Sequence, residues 1–308
     1  MSIVQLYFST DLLNDEPWHA SIAPAGSTAV AVQGPVYSAT LTGSFVVDDP
    51  AGTPPAIRGV VDGLTQTKNG ATQLQVSGLL QDAHGLQQVL DTATNRPMVY
   101  SYLLRGDDTL QGSAEHDLLA GFAGNDAIDG GGGIDGAYYT GMRSGYAFSR
   151  TASGWQVQDR SGADGTDSLT QVERLSFEDV SVALDLDGNA GVVARILGAV
   201  YGKDAVASTE FAGIGLRLLD TGTSAPTLMQ MALDNRLGTQ HDGAAVVNLL
   251  YTNIVGTAPA PAQLSLFRGW LDNGSHTEAT LGLYAADTGE NAANIDLIGL
   301  SSSGLAFV

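Results

Sequence analysis

Residues 103–138, broken every nine, read LLRGDDTLQ, GSAEHDLLA, GFAGNDAID and GGGGIDGAY. Asp108, Asp117, Asp126 and Asp135 hold the sixth place of each nonamer, and Leu110, Leu119, Ile128 and Ala137 hold the eighth. A turn of six residues followed by a strand of three accounts for this period, so that two units complete one coil. Turns on the same side are then 18 residues apart, which stacks Asp108 over Asp126 and Asp117 over Asp135. Calcium takes about six to eight oxygen ligands at roughly 2.3–2.6 Å, with tolerant geometry. One carboxylate from each stacked turn, with backbone carbonyls from Gly106, Gly121, Gly124, Gly130 and Gly133, makes such a set. Glycine permits the dihedrals that turn those carbonyls inward. The apolar eighth places then fill the thin space between two strand layers.

This G-G-x-G-x-D-x-U-x pattern, with U apolar, resembles the calcium-binding repeat of the RTX (repeats-in-toxin) family. The third copy is nearest to it, whereas the first lacks its leading glycines and the second carries Glu115 where a glycine belongs. The resemblance implies a parallel β-roll with Ca2+ as its cofactor. An ordinary turn-rich loop accounts for one such copy, but not for four in phase with apolar residues. Gly130–Gly133 is not followed by the Lys-Ser/Thr of a phosphate-binding loop. Further on, Gly162-Ala-Asp-Gly-Thr-Asp-Ser-Leu169 restores the spacing, with Asp167 in the acid place and Leu169 in the apolar one. Asp164 and Asp167 are candidates for another calcium, the alternative being plain turn residues.

The formal net charge is −20 on 308 residues of which only 15% are charged, so the excess reflects scarce bases. That disfavours nucleic acid and anionic membranes as partners, since both reward Lys/Arg patches. An acidic chain repels itself, and each cation site filled at tenfold over its dissociation constant adds about 1.4 kcal/mol. There are no cysteines, which excludes disulfides and thiolate chemistry. Met1 to Trp18 has neither the basic nor the apolar region of a Sec-type signal, and no run is long enough for membrane insertion. Residues 269–308 contain no Lys or Arg and end in SSSGLAFV. This tail resembles the uncleaved C-terminal signal of RTX proteins, which implies type I secretion. An ordinary frayed terminus is the other reading.

The fold class expected is multidomain β plus α. Residues 1–98 read as an antiparallel β domain, with strand patterns around Ile3, Leu6 and Phe8, over Tyr37–Val47, Ile57–Val61 and Thr72–Val76. Pro50, Pro54 and Pro55 mark a loop, Gly63, Asn69 and Gly70 separate the last two runs, and Leu86–Leu90 is a short helix; Val99–Leu104 leads into the repeats. Residues 99–138 are the short calcium-binding parallel β-roll. Residues 139–188 read as a β cap, with a hairpin turning at Ser153-Gly154 and with Val172, Leu175 and Phe177 sealing the last coil. Asp185-Leu-Asp-Gly-Asn begins like an EF-hand loop but lacks its Gly and its last Glu, so Asp187 or Asn189 is read as a helix cap.

Residues 189–308 read as an all-α domain. Val192, Val193, Ile196, Leu197 and Val200 share one face, as do Val246, Val247, Leu250 and Ile254, and Leu264, Phe267 and Leu271. Ser275-His-Thr-Glu278 reads as a capping box. LLDTGTS at 218–224 echoes WLDNGSH at 270–276, an internal repeat of about 52 residues. The domain is similar to helical modules at the C-terminus of RTX and surface-layer-like proteins, a resemblance that implies no activity.

No catalytic set emerges. There is no H-E-x-x-H and no G-x-S-x-G; His19, His84, His116, His241 and His276 lack ligand spacing; no spacing singles out Glu173 or Glu178. His116 is expected to face solvent. Trp18, Trp155 and Trp270 are read as core residues. The expectation is a secreted, calcium-dependent structural protein that self-assembles at a bacterial surface as a filament, surface-layer or matrix subunit, with copies of itself as partners. The alternatives are a calcium-stabilised adhesin that uses residues 1–98 on cell-surface polysaccharide, and a secreted hydrolase.

Overall fold

The computed structural model describes residues 3–6, 21–24, 29–33, 37–47, 57–68, 71–92 and 96–308. Phe8, Trp18, His19, Pro50, Pro54, Pro55, Asn69 and Gly70, named above, lie outside the described residues. The chain divides into two compact units, Met1–Asp179 and Val180–Val308.

The first unit opens with β1 (Ile3–Leu6), β2 (Ser21–Pro24), β3 (Ala29–Gln33), β4 (Tyr37–Val47), β5 (Ile57–Lys68) and β6 (Ala71–Asp82). Strands β2 to β6 pair antiparallel in sequence order, and β1 pairs antiparallel with β6. Helices α1 (Ala83–Thr92) and α2 (Arg96–Leu103) follow. The stretch leading into the repeats is thus helical, because Val99, Tyr100 and Leu103 fall on one buried face and Pro97 sits in the first turn, where its missing N–H costs nothing. α1 packs on β5 and β6, and Val61, Leu64, Leu79 and Leu86 are all buried.

The nonamers supply β7 (Thr109–Gln111), β8 (Leu118–Leu119), β9 (Ala127–Asp129) and β10 (Gly136–Tyr138). β7 pairs in parallel with β9, setting Leu110 opposite Ile128, and β8 pairs in parallel with β10, setting Leu119 opposite Ala137. The strands therefore alternate between two columns, as a turn every nine residues requires. All four eighth-place side chains are buried. After a 3₁₀ turn at Arg143–Gly145 come β11 (Tyr146–Arg150), β12 (Trp155–Asp159), β13 (Thr166–Thr170) and β14 (Arg174–Ser176). The hairpin expected at Ser153-Gly154 is formed by β11 and β12. β13 extends the first column with Leu169 opposite Ile128, and β14 extends the second with Leu175 opposite Ala137. β1 also pairs in parallel with β7, so the first column runs on into the N-terminal sheet. Among the described residues this sheet has 11 strands, with β2 at one end and β11 at the other.

The second unit begins with β15 (Ser181–Ala183) and continues as α3 (Asn189–Tyr201), α4 (Thr209–Asp220), α5 (Ala225–Leu237), α6 (Gly243–Val255), α7 (Pro261–Asp272), α8 (Glu278–Ala286), α9 (Gly289–Asn294), α10 (Leu297–Ser303) and β16 (Leu305–Phe307). The LLDTGTS and WLDNGSH segments fall at the α4–α5 and α7–α8 junctions. α3 lies at the centre and packs on α4, α5, α6 and α8. Its Val193, Ile196, Leu197 and Val200 are buried, as are Val246, Val247, Leu250 and Ile254 of α6. α7 buries no residue fully, so the face at Leu264, Phe267 and Leu271 is only half-covered. The tail is folded: β16 pairs with β15, and the Val308 N–H donates to the Thr209 carbonyl at 3.2 Å.

Two caps differ from expectation. α3 is preceded by Gly188 with no side-chain cap, and the Ala190 N–H instead meets the Asp185 carboxylate at 3.4 Å; Asn189 donates to Asp220 at 2.8 Å. α8 is capped by Thr277 with Thr280 as the reciprocal partner, while Ser275 bonds back to the Trp270 carbonyl. Thr277 immediately precedes the helix, which puts its hydroxyl within reach of the third helical N–H, and Ser275 lies two residues too early.

Candidate metal centre

From the third nonamer onward, the acids of the two columns reach back one coil. The Asp108 N–H donates to Asp126 Oδ1 at 2.8 Å, and the Asp126 N–H donates to Asp167 Oδ1 at 2.9 Å. On the other side, the Asp117 N–H donates to Asp135 Oδ1 at 2.8 Å, and the Asp135 N–H donates to Glu173 Oε2 at 2.9 Å. The fifth-place side chains reach forward instead. Asp107 Oδ1 accepts from Asn125 N–H at 2.8 Å, Asn125 Oδ1 from Thr166 N–H at 3.0 Å, and His116 Nδ1 from Ile134 N–H at 2.7 Å. Expected to face solvent, His116 is exposed yet serves as a rung of this second ladder. The coils are thereby pinned at two adjacent places per turn.

The aspartates of both columns are buried. Asp126 and Asp135 are 2% and 0% exposed, and one oxygen of each, Oδ2, is buried without a hydrogen-bond partner. An orphaned buried carboxylate oxygen is costly unless a cation or proton meets it. Burial, reinforced by Asp167, Asp108 and Asp107, pushes Asp126 up to about 8 against the lowering effect of the Asp108 N–H. Burial likewise pushes Asp135 up to about 7, with Glu173 and Asp117 adding to it, and Asp167 up to about 6. Asp117 differs: Ser113, in the degenerate second copy, donates to its Oδ2 through both N–H and hydroxyl.

The glycines serve mainly by close approach. A Cβ on Gly130 would collide with the Gln171 carbonyl and lie 2.8 Å from Asp135 Oδ2, and one on Gly121 would collide with Asp126 Oδ2. Neither has a positive φ, so proximity rather than dihedral freedom explains these two. Gly124 and Gly133 have φ of +132° and +118° and pack on the carbonyls of residues 106 and 115. Gly106 meets nothing within 4 Å, so the packing does not demand a glycine there.

Among the described residues no three His, Cys, Asp or Glu side chains form a metal cluster. Side chains therefore contribute carboxylates in stacked pairs, and backbone carbonyls must complete any coordination shell, which suits a hard cation with many oxygen ligands rather than zinc. Asp164 falls outside the columns: its Oδ2 accepts the Tyr146 hydroxyl at 2.5 Å, and its N–H donates to Asp159 Oδ2 at 3.0 Å. Glu173, passed over in the sequence, stands in the acid place of the last coil. Its signal was present, since Glu173 and Leu175 keep the two-residue spacing of Asp135 and Ala137.

Residues 104–137 match the family model of the RTX calcium-binding nonapeptide repeat, four copies, and such repeats bind Ca2+. A comparison with curated proteins yields no match. No helix among the described residues is long and apolar enough to cross a membrane.

Proposed function

We propose that the chain is a secreted structural protein whose calcium-loaded β-roll makes it rigid, and which self-assembles at a bacterial surface as a filament, surface-layer or matrix subunit. The observation that carries the reading is the pair of buried, unsatisfied carboxylate oxygens on Asp126 and Asp135 within stacked turns. Asp108, Asp126 and Asp167 would hold calcium on one side, and Asp117 and Asp135 on the other, with carbonyls of the Gly106, Gly121, Gly124, Gly130 and Gly133 turns as further ligands. Bound calcium supplies the positive charge that these oxygens lack. The ladders hold the turns in register, and Leu110, Leu119, Ile128 and Ala137 exclude water from between the strand layers.

Export by the type I route fits this chemistry. Extracellular calcium modules bind at roughly 10⁻⁴–10⁻³ M, far above cytosolic calcium. The roll would stay open inside the cell and close outside. Two features favour assembly: β2 and β11 are end strands of one sheet, and edge strands pair with other chains. A net charge of −20 also lets calcium bridge acidic surfaces. Electron microscopy in calcium and in chelator tests the reading. Polymers that form in calcium and dissolve in chelator support it; monomers in calcium that bind glycans point instead to an adhesin.

A further inference from the structure

The repeat geometry does not stop where the nonamers stop. Inside them, the Gly130 carbonyl and Asp117 Oδ2 both approach the point where a Gly112 Cβ would sit. One coil on, the Gln171 carbonyl and Asp135 Oδ2 approach the corresponding point over Gly130. The backbone keeps the same register, because Gly112 N–H donates to the Asp129 carbonyl and Gly130 N–H to the Thr170 carbonyl, at 2.7 and 2.9 Å. Gln171 thus stands in the first place of a nonamer, and its φ of +51° is left-handed, rare for a non-glycine. Only two positions separate Gln171 from Glu173, where five separate Gly130 from Asp135. The longer glutamate side chain spans that shortened turn and still accepts the Asp135 N–H at 2.9 Å. Asp135 Oδ2, buried and without a hydrogen-bond partner, lies with the Gln171 carbonyl around that same point over Gly130.

We infer that Glu173 is a calcium ligand, and that with Asp135 and the Gln171 carbonyl it forms a further site outside the nonapeptide repeats. The inference rests on the calcium reading above. Its consequence is that calcium ties β14, and not only the repeats, into the second column.

Native mass spectrometry of the full chain titrated with calcium counts the ions. Glu173→Gln keeps an oxygen for the Asp135 N–H but loses the charge, so it is expected to carry one calcium fewer than wild type, with its far-ultraviolet circular dichroism in calcium retained. An unchanged count overturns the inference and leaves the calcium reading standing. A wild type that takes up no calcium overturns both. Should Glu173→Gln fail to fold, the anomalous map of a wild-type crystal grown in calcium decides. A peak joining Asp135, Gln171 and Glu173 supports the site; peaks confined to the Asp108–Asp126 and Asp117–Asp135 pairs overturn it.

Discussion

Asp126 Oδ1 accepts the backbone N–H of Asp108 at 2.8 Å across one coil, leaving Asp126 Oδ2 buried with nothing to meet it. Asp126 also donates its own N–H to Asp167, so it belongs to two successive turn pairs. Asp126→Asn is therefore expected to weaken two sites together. With free calcium tenfold above the dissociation constants, that removes about 3 kcal/mol of calcium-dependent stabilisation. Calorimetric melting with calcium measures it, and the calcium-stripped variant should melt no lower than calcium-stripped wild type.

The raised carboxyls give the stripped protein an inverted pH dependence. Asp126, Asp135 and Asp167 rise from 3.8 to about 8, 7 and 6, so the folded chain binds more protons than the unfolded one across that interval. Stability rises with pH only where the unfolded state binds more protons, so here it falls between about pH 4 and 8. Calcium-stripped protein should melt higher at about pH 5 than at about pH 8. Saturating calcium should reverse the order, because protons compete for its ligands.

Gly130→Ala and Gly106→Ala make a matched pair. The first drives a Cβ into the Gln171 carbonyl and towards Asp135, both backbone-anchored, whereas the second meets open space. Overpacking of this kind costs about 1–3 kcal/mol. Gly106→Ala should stay within about 0.5 kcal/mol of wild type in calcium-dependent melting.

His241 carries a separate pH dependence in the helical unit. Its Nδ1 faces the Gly238 carbonyl at 2.5 Å and its Nε2 faces Glu278 at 2.9 Å, so only the imidazolium donates through both. The Gly238 carbonyl, with Glu278 and Asp234, holds the imidazole above its ordinary value of 6.5. Its contribution is complete below about 6.5 and is lost as pH rises through the folded value. Glu278→Gln should flatten that slope, by no more than about 1 kcal/mol, read as helical melting against pH.

Much of the metal centre is legible in the chain because its period is local. Asp108, Asp117, Asp126 and Asp135 recur every nine residues, and a turn-strand unit of that length stacks them whatever else the chain does. Asp167 keeps the acid-x-apolar spacing with Leu169 and is found in the column; Asp164, three residues earlier, has no apolar residue in phase and is found outside it. Glu173 keeps the spacing with Leu175 but follows a shortened turn, so counting nines misses it. The helical faces of α3 and α6 are legible for the same local reason. The shallow cover of α7 is not, since burial depends on what packs opposite.

From its own order of residues this chain determined the nine-residue period, the acid and apolar places within it, and the helical faces of α3 and α6, because helix and turn geometry act over a few neighbours. The tertiary structure alone decided that β1 joins the first repeat strand, that Glu173 completes the second column, and that Asp126 and Asp135 each keep one oxygen without a partner. Those outcomes depend on pairings outside the nine-residue period, as with Ala137 against Leu175 and Ile3 against Thr109, and a linear pattern does not specify which distant backbone arrives at which edge.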